Sequence, residues 1–534
     1  MLDILIKNGL IVDGTNTTPY NADIGIKDGK IVSISKNISS EANDIIDASG
    51  LVVSPGFIDV HSHNDLVPFT CESLRNSKLL QGVTTELVGQ CGLGIFPYIE
   101  SQNNTWKNYV VGIVGGADLK WHFSDLNEYM TKINSMGLKN NYASLISQGA
   151  VRTSVMGFNP RTPTQYEIDH MCKLVDDAMR KGAFGMSLGL QYMPGIFSCR
   201  DELIAMCKVV KSYNGIVMVH VRNHDNTINN ALEEIISIAR ESKVKFQISH
   251  MRSYNSKELG LNADSLIKIV QKAIDDGIDI TFDEHPYLSG STLMTQLLPP
   301  WLTKEGEGTL LEKLKDVQVL NRVKNELSNT KIHYPAWDNY SAIAGWDGIL
   351  ITSLKKDKNL KYIGKTVGDI SKDLGIHPVD FISKLLTEEN AGVGIVTLNI
   401  FSEEDTIKLI QHPLQMVCSD SIPAGVPHPR FYGNYPLFIG KFVREKKAIS
   451  LENAIYKSTL FPAVTLGLKN IGKLAPNNIA DVTIFDFDKI IGYEDYNNPT
   501  KPPVGVKYVL LNGKLAVKNG VVCKGNYGRV IRHT

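Results

Sequence analysis

Five residues of zinc-binding type and one carboxylate are spaced along the 534-residue chain, each at the end of a short apolar run. His61 and His63 close "GFIDVHSH" (56–63). In extended backbone, residues i and i+2 point to the same side, so both imidazoles can face one centre. Cys91 sits in "GQCGLG", whose flanking glycines permit a sharp reversal that exposes the side chain. His220 ends "VMVH" and His250 ends "QISH". Imidazole and thiolate donors suit zinc and other borderline metals. Asp420, in "MVCSDS", stands where a carboxylate can bind a cation, or take a proton from water activated beside it. Each residue alone has an ordinary structural alternative: a satisfied core histidine, an inert buried cysteine, or a helix N-cap in the case of Asp420. A nucleophilic Cys91 would want one histidine base, whereas four histidines share its rim. Together they point to a metal centre.

The elements that must position these residues are short apolar runs alternating with helical segments. Strand ends are predicted at 56–63, 84–92, 142–152, 183–189, 215–222, 245–252, 279–287 and 413–421, with helices between them, such as 165–181 and 201–213. Strand and helix repeated eight times is the pattern of a TIM-like (β/α)8 barrel, whose catalytic residues come from the C-terminal ends of different strands. Residues 288–412 are too many for one βα unit and read as a mostly helical insertion or lid after the seventh strand. Within it, "AGVGIVTLN" (391–399) competes for the eighth strand position, and 413–421 is preferred because it carries Asp420. Residues 1–54 and 466–534 instead alternate apolar and polar residues around Asn-Gly and Asp-Gly pairs, which favour hairpin turns. The two ends are expected to form one small β-sandwich domain, leaving 55–287 and 413–465 for the barrel.

Lys plus Arg equals Asp plus Glu at 56 each, which gives no global electrostatic reason to bind nucleic acid. Seven scattered cysteines argue against a disulfide framework and for a reducing compartment. Asp3 stands where a signal peptide would want basic residues, and no run approaches 18 uninterrupted apolar residues. A cytoplasmic protein acting on a small molecule is the expectation, with a homo-oligomer left open. The glycine-rich "GIVGGADLK" (112–120) lacks the Gly-Lys-Ser/Thr ending of a phosphate loop and reads as a tight turn.

The segments "SPGFIDVHSHND", "GVTTELVGQCG", "GAFGMSLGLQYMPG", "HVRN", "QISHMR", "DEHPYLSGST", "HPRFYGNYPLFIG" and "IADVTIFD" occur in order over nearly the whole chain. In them the chain resembles the N-acyl-D-amino-acid deacylase (D-aminoacylase) family of the amidohydrolase superfamily. The resemblance implies hydrolysis of the linear amide of N-acyl-D-amino acids, giving a carboxylate and a D-amino acid. It makes Cys91, His220 and His250 ligands of a tightly held Zn2+, and His61, His63 and Asp420 the ligands of a second, weaker divalent position. Asp420 corresponds to the family's proton shuttle. No lysine ends the fourth strand, where many amidohydrolases carry a carboxylated lysine between two metals, so Cys91 takes the bridging side.

For the substrate, the resemblance makes Tyr192 the hydroxyl beside the α-carboxylate. Arg252, two residues past His250, should face the same way, and arginine's donor fork suits a carboxylate; the family usually has lysine there. Arg430, Arg152 and Arg222 are further candidates, with structural salt bridges an equal reading for the last two. Ser289 is expected to line the pocket. The family's usual Gly-His before Arg152 is replaced by Ser147-Gln148-Gly149, a change expected to alter pocket polarity or side-chain choice more than metal chemistry, and its usual Asn before Cys91 by Gln90, which retains an amide but lengthens it beside the metal. Two other readings are a cyclic-amide hydrolase resembling dihydroorotase or hydantoinase, and a catalytically silent metal-binding scaffold.

Overall fold

The computed structural model describes residues 1–116, 119–225, 227–254, 262–303 and 307–534. Residues 117–118 of the glycine-rich stretch, and 304–306 of the insertion, lie outside the described residues.

Eight parallel strands form the barrel: Phe57–Asp59, Val83–Val88, Asn141–Ser144 with its continuation Ile146–Ser147, Gly185–Gly189, Ile216–His220, Lys245–Ile248, Ile280–Glu284 and Gln415–Val417. All eight pair side by side in seven parallel pairings, through registers such as Gly189↔His220, Ile248↔Phe282 and Glu284↔Val417. A break at Leu145 divides the third strand, which pairs with the second on one side and the fourth on the other. The ring closes where Asp420 N–H donates to His61 O at 2.9 Å and His63 N–H to Ser421 O at 2.9 Å. Strands buried on both faces need apolar residues throughout, which is why "IVMVH" reads as an unbroken run. Inside, Ile58, Leu87, Ala143, Met218 and Met416 from five strands share one buried cluster with Leu466.

The two helices predicted from sequence occur as Gln165–Arg180 and Arg200–Ser212. The first begins with a reciprocal Thr164–Glu167 capping box and buries Ile168, Met171, Val175 and Ala178, a spacing that puts them on one face.

The segment after the seventh strand has its own core, which includes Leu302, Val323, Trp337, Ile351 and Phe381. Helices such as Val317–Ser328 and Pro378–Glu388 dominate it. It also contains a small antiparallel sheet of Gly290–Leu293, Gly394–Thr397 and Ile349–Ser353, with Gly394–Thr397 in the middle. The run at 391–399 is therefore a strand of the insertion, and Gln415–Val417 is the eighth barrel strand.

Both termini contribute to one nine-stranded sheet. Val52–Pro55 pairs antiparallel with Val482–Phe485, joining the two ends. Leu2–Ile11 pairs with Ala42–Asp47 along one half and with Val52–Val53 along the other. Ile6, Ile24, Val53, Ile484 and Leu510 then share a core. Asp28 (φ 49°) and Asn512 (φ 51°) adopt the left-handed backbone expected of their turns. Asn8-Gly9 does not form a turn: the register shifts between Ile6 and Gly9, so the pair makes a bulge inside a strand. All seven cysteines are free thiols. Among the described residues, no helix is long and apolar enough to cross a membrane.

Candidate active site

The C-terminal ends of the barrel strands bring His61, His63, Cys91, His220, His250 and Asp420 together. The second strand ends at Val88, and Gly89 (φ 81°), Cys91 (φ 52°) and Gly92 (φ 67°) then turn the chain sharply. Only glycine fits on either side: a Cβ at Gly89 would lie 2.5 Å from Leu145 O, and one at Gly92 2.6 Å from Gly189 N. His250 (φ 35°) is held by its own N–H, which donates to Asp283 Oδ1 at 2.8 Å. Asp420 (φ 44°) is fixed by the backbone bond that closes the barrel.

Cys91 Sγ lies 3.2 Å from His61 Nε2 and 3.6 Å from His250 Nε2, and His220 Nδ1 lies 3.0 Å from His250 Nε2. Asp420 Oδ1 is 3.4 Å from His61 Nε2 and 3.3 Å from His63 Nε2. Cys91, His220 and His250 form one buried triad whose donor atoms all lie within 4.8 Å of one another, and His61, His63 and Cys91 form a second. Cys91 belongs to both. A third group, His61, Asp283 and Cys418, lies on the other side of the His61 ring.

The rings are aimed by their outer partners. Asp283 Oδ1 lies 3.4 Å from His61 Nδ1, which leaves Nε2 toward Cys91. His220 Nε2 lies 2.8 Å from Gln191 Oε1, which leaves Nδ1 toward His250. Burial opposes ionisation of the Cys91 thiol, yet the charge of the neighbouring His61 holds it well below its usual range. Burial likewise opposes the Asp420 carboxylate, while Arg430 and His63 hold its pKa well below the ordinary carboxylate value. A buried cluster of one thiolate, imidazole lone pairs and a carboxylate is a donor set that fits zinc.

A partly open cleft lies beside these residues. Tyr192, Arg252 and Arg430 line it, as do Leu93, Tyr254 and Phe401. Tyr192 Oη lies 3.0 Å from Thr292 Oγ1, and its ring packs 4.7 Å from that of His220. Arg430 Nη2 lies 2.8 Å from Asp420 Oδ2 and Nη1 donates to His285 Nε2 at 2.9 Å. Arg252 reaches the cavity too, but its guanidinium is ion-paired with Glu284, donates to Tyr287 O at 2.9 Å and His285 O at 2.6 Å, and lies 3.9 Å over the Phe401 ring.

Other candidates are placed elsewhere. Arg152 does not line the cavity: its fully buried side chain pairs with Glu202 at 3.2 Å and donates to Asn159 O and Arg161 O, so it holds a helix and loop together. Arg222 pairs with Glu234 at 2.8 Å. Ser289 also stands outside the lining: its Oγ accepts the Asn399 N–H at 3.0 Å, while the next three residues, Gly290 to Thr292, face the cavity. Gln148 donates to Ser198 Oγ at 2.7 Å, away from the cavity, and Gln90 donates to Val60 O at 2.8 Å.

Sequence reasoning missed Gln191, Asp283, Glu284, His285 and Asp338. Asp283 to His285 lie in the "DITFDEHPY" strand end, so strand-end position was a usable signal for them. Gln191 adjoins Tyr192, and Asp338 lies in the insertion, where no periodicity marks it.

Residues 44–305 match the model of the Amidohydrolase family. The D-aminoacylase of Alcaligenes xylosoxydans xylosoxydans is 27% identical over 533 residues, covering 100% of this chain and 98% of its own. The N-acyl-D-glutamate deacylase of the same organism is 27% identical over 513 residues, covering 96% and 93%. Among solved structures, the N-acyl-D-glutamate deacylase of Bordetella bronchiseptica, complexed with zinc and a phosphonate mimic of the tetrahedral intermediate, aligns at a TM-score of 0.84 and 27% identity over 99% of each chain.

Proposed function

The chain belongs to the amidohydrolase superfamily and is related to its D-aminoacylases, and on that premise we propose a zinc-dependent hydrolase that cleaves N-acyl-D-amino acids to a carboxylate and a free D-amino acid. The observation that carries the reading is the pair of buried triads sharing Cys91. We assign Cys91, His220 and His250 to the tightly held Zn2+, and His61, His63 and Asp420 to an optional second ion. Bound there, zinc acidifies water and polarises an amide carbonyl.

The chain's own residues supply the rest. Asp420 takes up the proton of the attacking water and returns it to the departing amine nitrogen. Arg430 keeps that carboxylate ionised and oriented through its 2.8 Å contact. Arg430 and Arg252 both line the cleft, and each has an Nε without a hydrogen-bond partner among the described residues, so both are placed to meet the substrate's α-carboxylate. Each already has a carboxylate partner, and Arg252 is the more fully engaged, with Glu284, the Tyr287 and His285 carbonyls and the Phe401 ring, so we give it the structural role. Tyr192 braces the ring of His220 and bounds the pocket beside it. Phe401 and Ile400 of the insertion shield the site from water. On this division, barrel segments 55–287 and 413–465 carry the chemistry, 288–412 covers it, and 1–54 with 466–534 forms the outlying β-domain. The free thiols favour the cytoplasm.

The lack of a lysine in the fourth strand, Gly185–Gly189, disfavours a lysine-bridged cyclic-amide hydrolase. The test is a screen of zinc-reconstituted protein against paired N-acetyl and N-formyl D- and L-amino acids, with hydantoin and dihydroorotate alongside. Cleavage confined to D-configured linear amides is expected. A preference for L-substrates, ring opening alone, or no hydrolysis would overturn the proposal.

A further inference from the structure

We infer that Asp338, a residue of the insertion, is a positioning residue that decides, through Gln191, which ring nitrogen of His220 faces the metal cleft. The inference rests on the assignment of His220 as a ligand.

Three links of fixed polarity carry it. Asp338 is fully buried, and besides N–H and amide donors the Asp225 carboxyl meets it. Burial and the Asp338 charge push Asp225 up to about 8, so at neutral pH Asp225 holds the proton of the pair and is a donor too. Oδ2 accepts from Gln191 Nε2 at 2.7 Å, and Oδ1 accepts from Asn223 Nδ2 at 3.4 Å and from the His224 and Asp225 N–H groups at 3.3 Å each. An ionised carboxylate cannot donate, so Gln191 must turn its NH2 toward Asp338 and its carbonyl toward His220. A carbonyl only accepts, so the 2.8 Å contact requires the proton of His220 on Nε2. Nδ1 is then left as a bare lone pair toward Cys91 and His250, the state a ligand needs.

Asp338 is itself delivered by a sewn loop. Ala336 N–H donates to Asn223 Oδ1 at 2.9 Å, and Asn223 Nδ2 donates to Trp337 O at 3.0 Å. Asn223 lies three residues past His220, so seating of the insertion and orientation of the ligand are tied at one place.

An almost isosteric change at Asp338 should reverse this order of donors and acceptors. In Asp338→Asn, the remaining oxygen is expected to serve the Asn223, His224 and Asp225 donors, which puts the new NH2 toward Gln191. Gln191 then reverses, its NH2 faces His220 Nε2, and the ring proton moves to Nδ1. A second substitution, Gln191→Glu, supplies an acceptor at both ends and restores the original direction. A purely structural role for Asp338 does not predict this rescue.

The measurement is long-range 1H–15N correlation on 15N-histidine protein, metal-free and zinc-loaded, with zinc affinity from chelator competition. Asp338→Asn should shift His220 to the Nδ1–H form and weaken zinc binding by about 10- to 100-fold, the usual effect of losing an outer partner of a ligand histidine. Asp338→Asn combined with Gln191→Glu should reverse both. If Asp338→Asn does not fold, Gln191→Leu, which removes the acceptor to His220 together with one donor to Asp338, should weaken zinc to a similar extent. Unchanged tautomer and affinity in a folded single variant, or a double variant no better than the single, would overturn the inference. Wild-type protein that took up no zinc would overturn the hydrolase proposal instead, and the ring-proton readout on metal-free protein would still decide this one.

Discussion

Replacing Glu284 by Gln separates a structural Arg252 from a substrate-binding one. The two side chains are 5% and 0% exposed, so the pair sits in a low-dielectric pocket with little water to screen it. Glu284 Oε1 also accepts the His285 N–H at 2.9 Å. Glutamine keeps the volume and one acceptor but removes the counter-charge, leaving a buried guanidinium with only the carbonyls of Tyr287 and His285 and the Phe401 ring. Removing one partner of a buried ion pair costs about 3–5 kcal/mol. The retained acceptor argues for the lower end, about 3 kcal/mol, or a fall in Tm of about 6 °C at roughly 2 °C per kcal/mol for a large domain. Arg252→Met should cost a similar amount, and the double variant much less than the sum, with a coupling of about 2–3 kcal/mol. Thermal unfolding of the four zinc-loaded proteins gives the cycle, and KM for a carboxylate substrate against its carboxamide gives the binding. The expected result is a large coupling in Tm, with the carboxylate-to-carboxamide KM ratio held or sharpened in Glu284→Gln. A Tm within 1 °C of wild type in Glu284→Gln, together with a collapse of that KM ratio in Arg252→Met, would refute the structural assignment.

Asp420→Asn should cut kcat by about 10²- to 10⁴-fold with the tightly held zinc retained, read by elemental analysis beside turnover; full activity would sink the proton-transfer role. Arg152→Met should lower Tm, since it leaves Glu202 buried without its partner, and leave KM of the folded enzyme unchanged; a raised KM at normal Tm would return Arg152 to the substrate. Lys457 is 1% exposed and donates to Gln415 O at 3.2 Å, and burial pushes its pKa down to about 7. The unfolded chain therefore holds more protons from about pH 7 to about 10.4, so the penalty is full below pH 7 and fades as pH rises. Lys457→Met should consequently raise Tm most at pH 6 and progressively less toward pH 9, and a difference flat across that range would contradict the burial argument.

What could be read from the sequence divides along a physical line. Strands buried on both faces must be apolar throughout, so their ends were visible, and with them His61, His63, Cys91, His220, His250 and Asp420. The partners that tune those residues depend on register between strands. Ile248 lies opposite Phe282, which carries Glu284 within reach of Arg252 from 32 residues away, and no spacing along the chain predicts that encounter. The same holds for Arg152, whose Glu202 partner is 50 residues distant, and for Asp338, brought to Gln191 from 147 residues away. Local preference misled at Asn8-Gly9, where pairing with Tyr20–Lys27 absorbed a turn signal as a bulge.

The site itself runs against local preference. Cys91, His250 and Asp420 have φ of 52°, 35° and 44°, a left-handed backbone that costs about 1–3 kcal/mol where side chains other than glycine adopt it. At each point a barrel strand has ended and the chain must turn, yet its side chain has to stay aimed into the cleft. Glycine would relax all three turns and delete the thiolate, the imidazole and the carboxylate. The neighbouring Gly89 and Gly92 show that the loop around Cys91 does use glycine where no donor is required. The local strain is therefore placed on the positions that bear donor groups, and packing elsewhere in the barrel has to offset it. This is the sense in which the donor residues, rather than turn propensity, set the backbone at the barrel mouth.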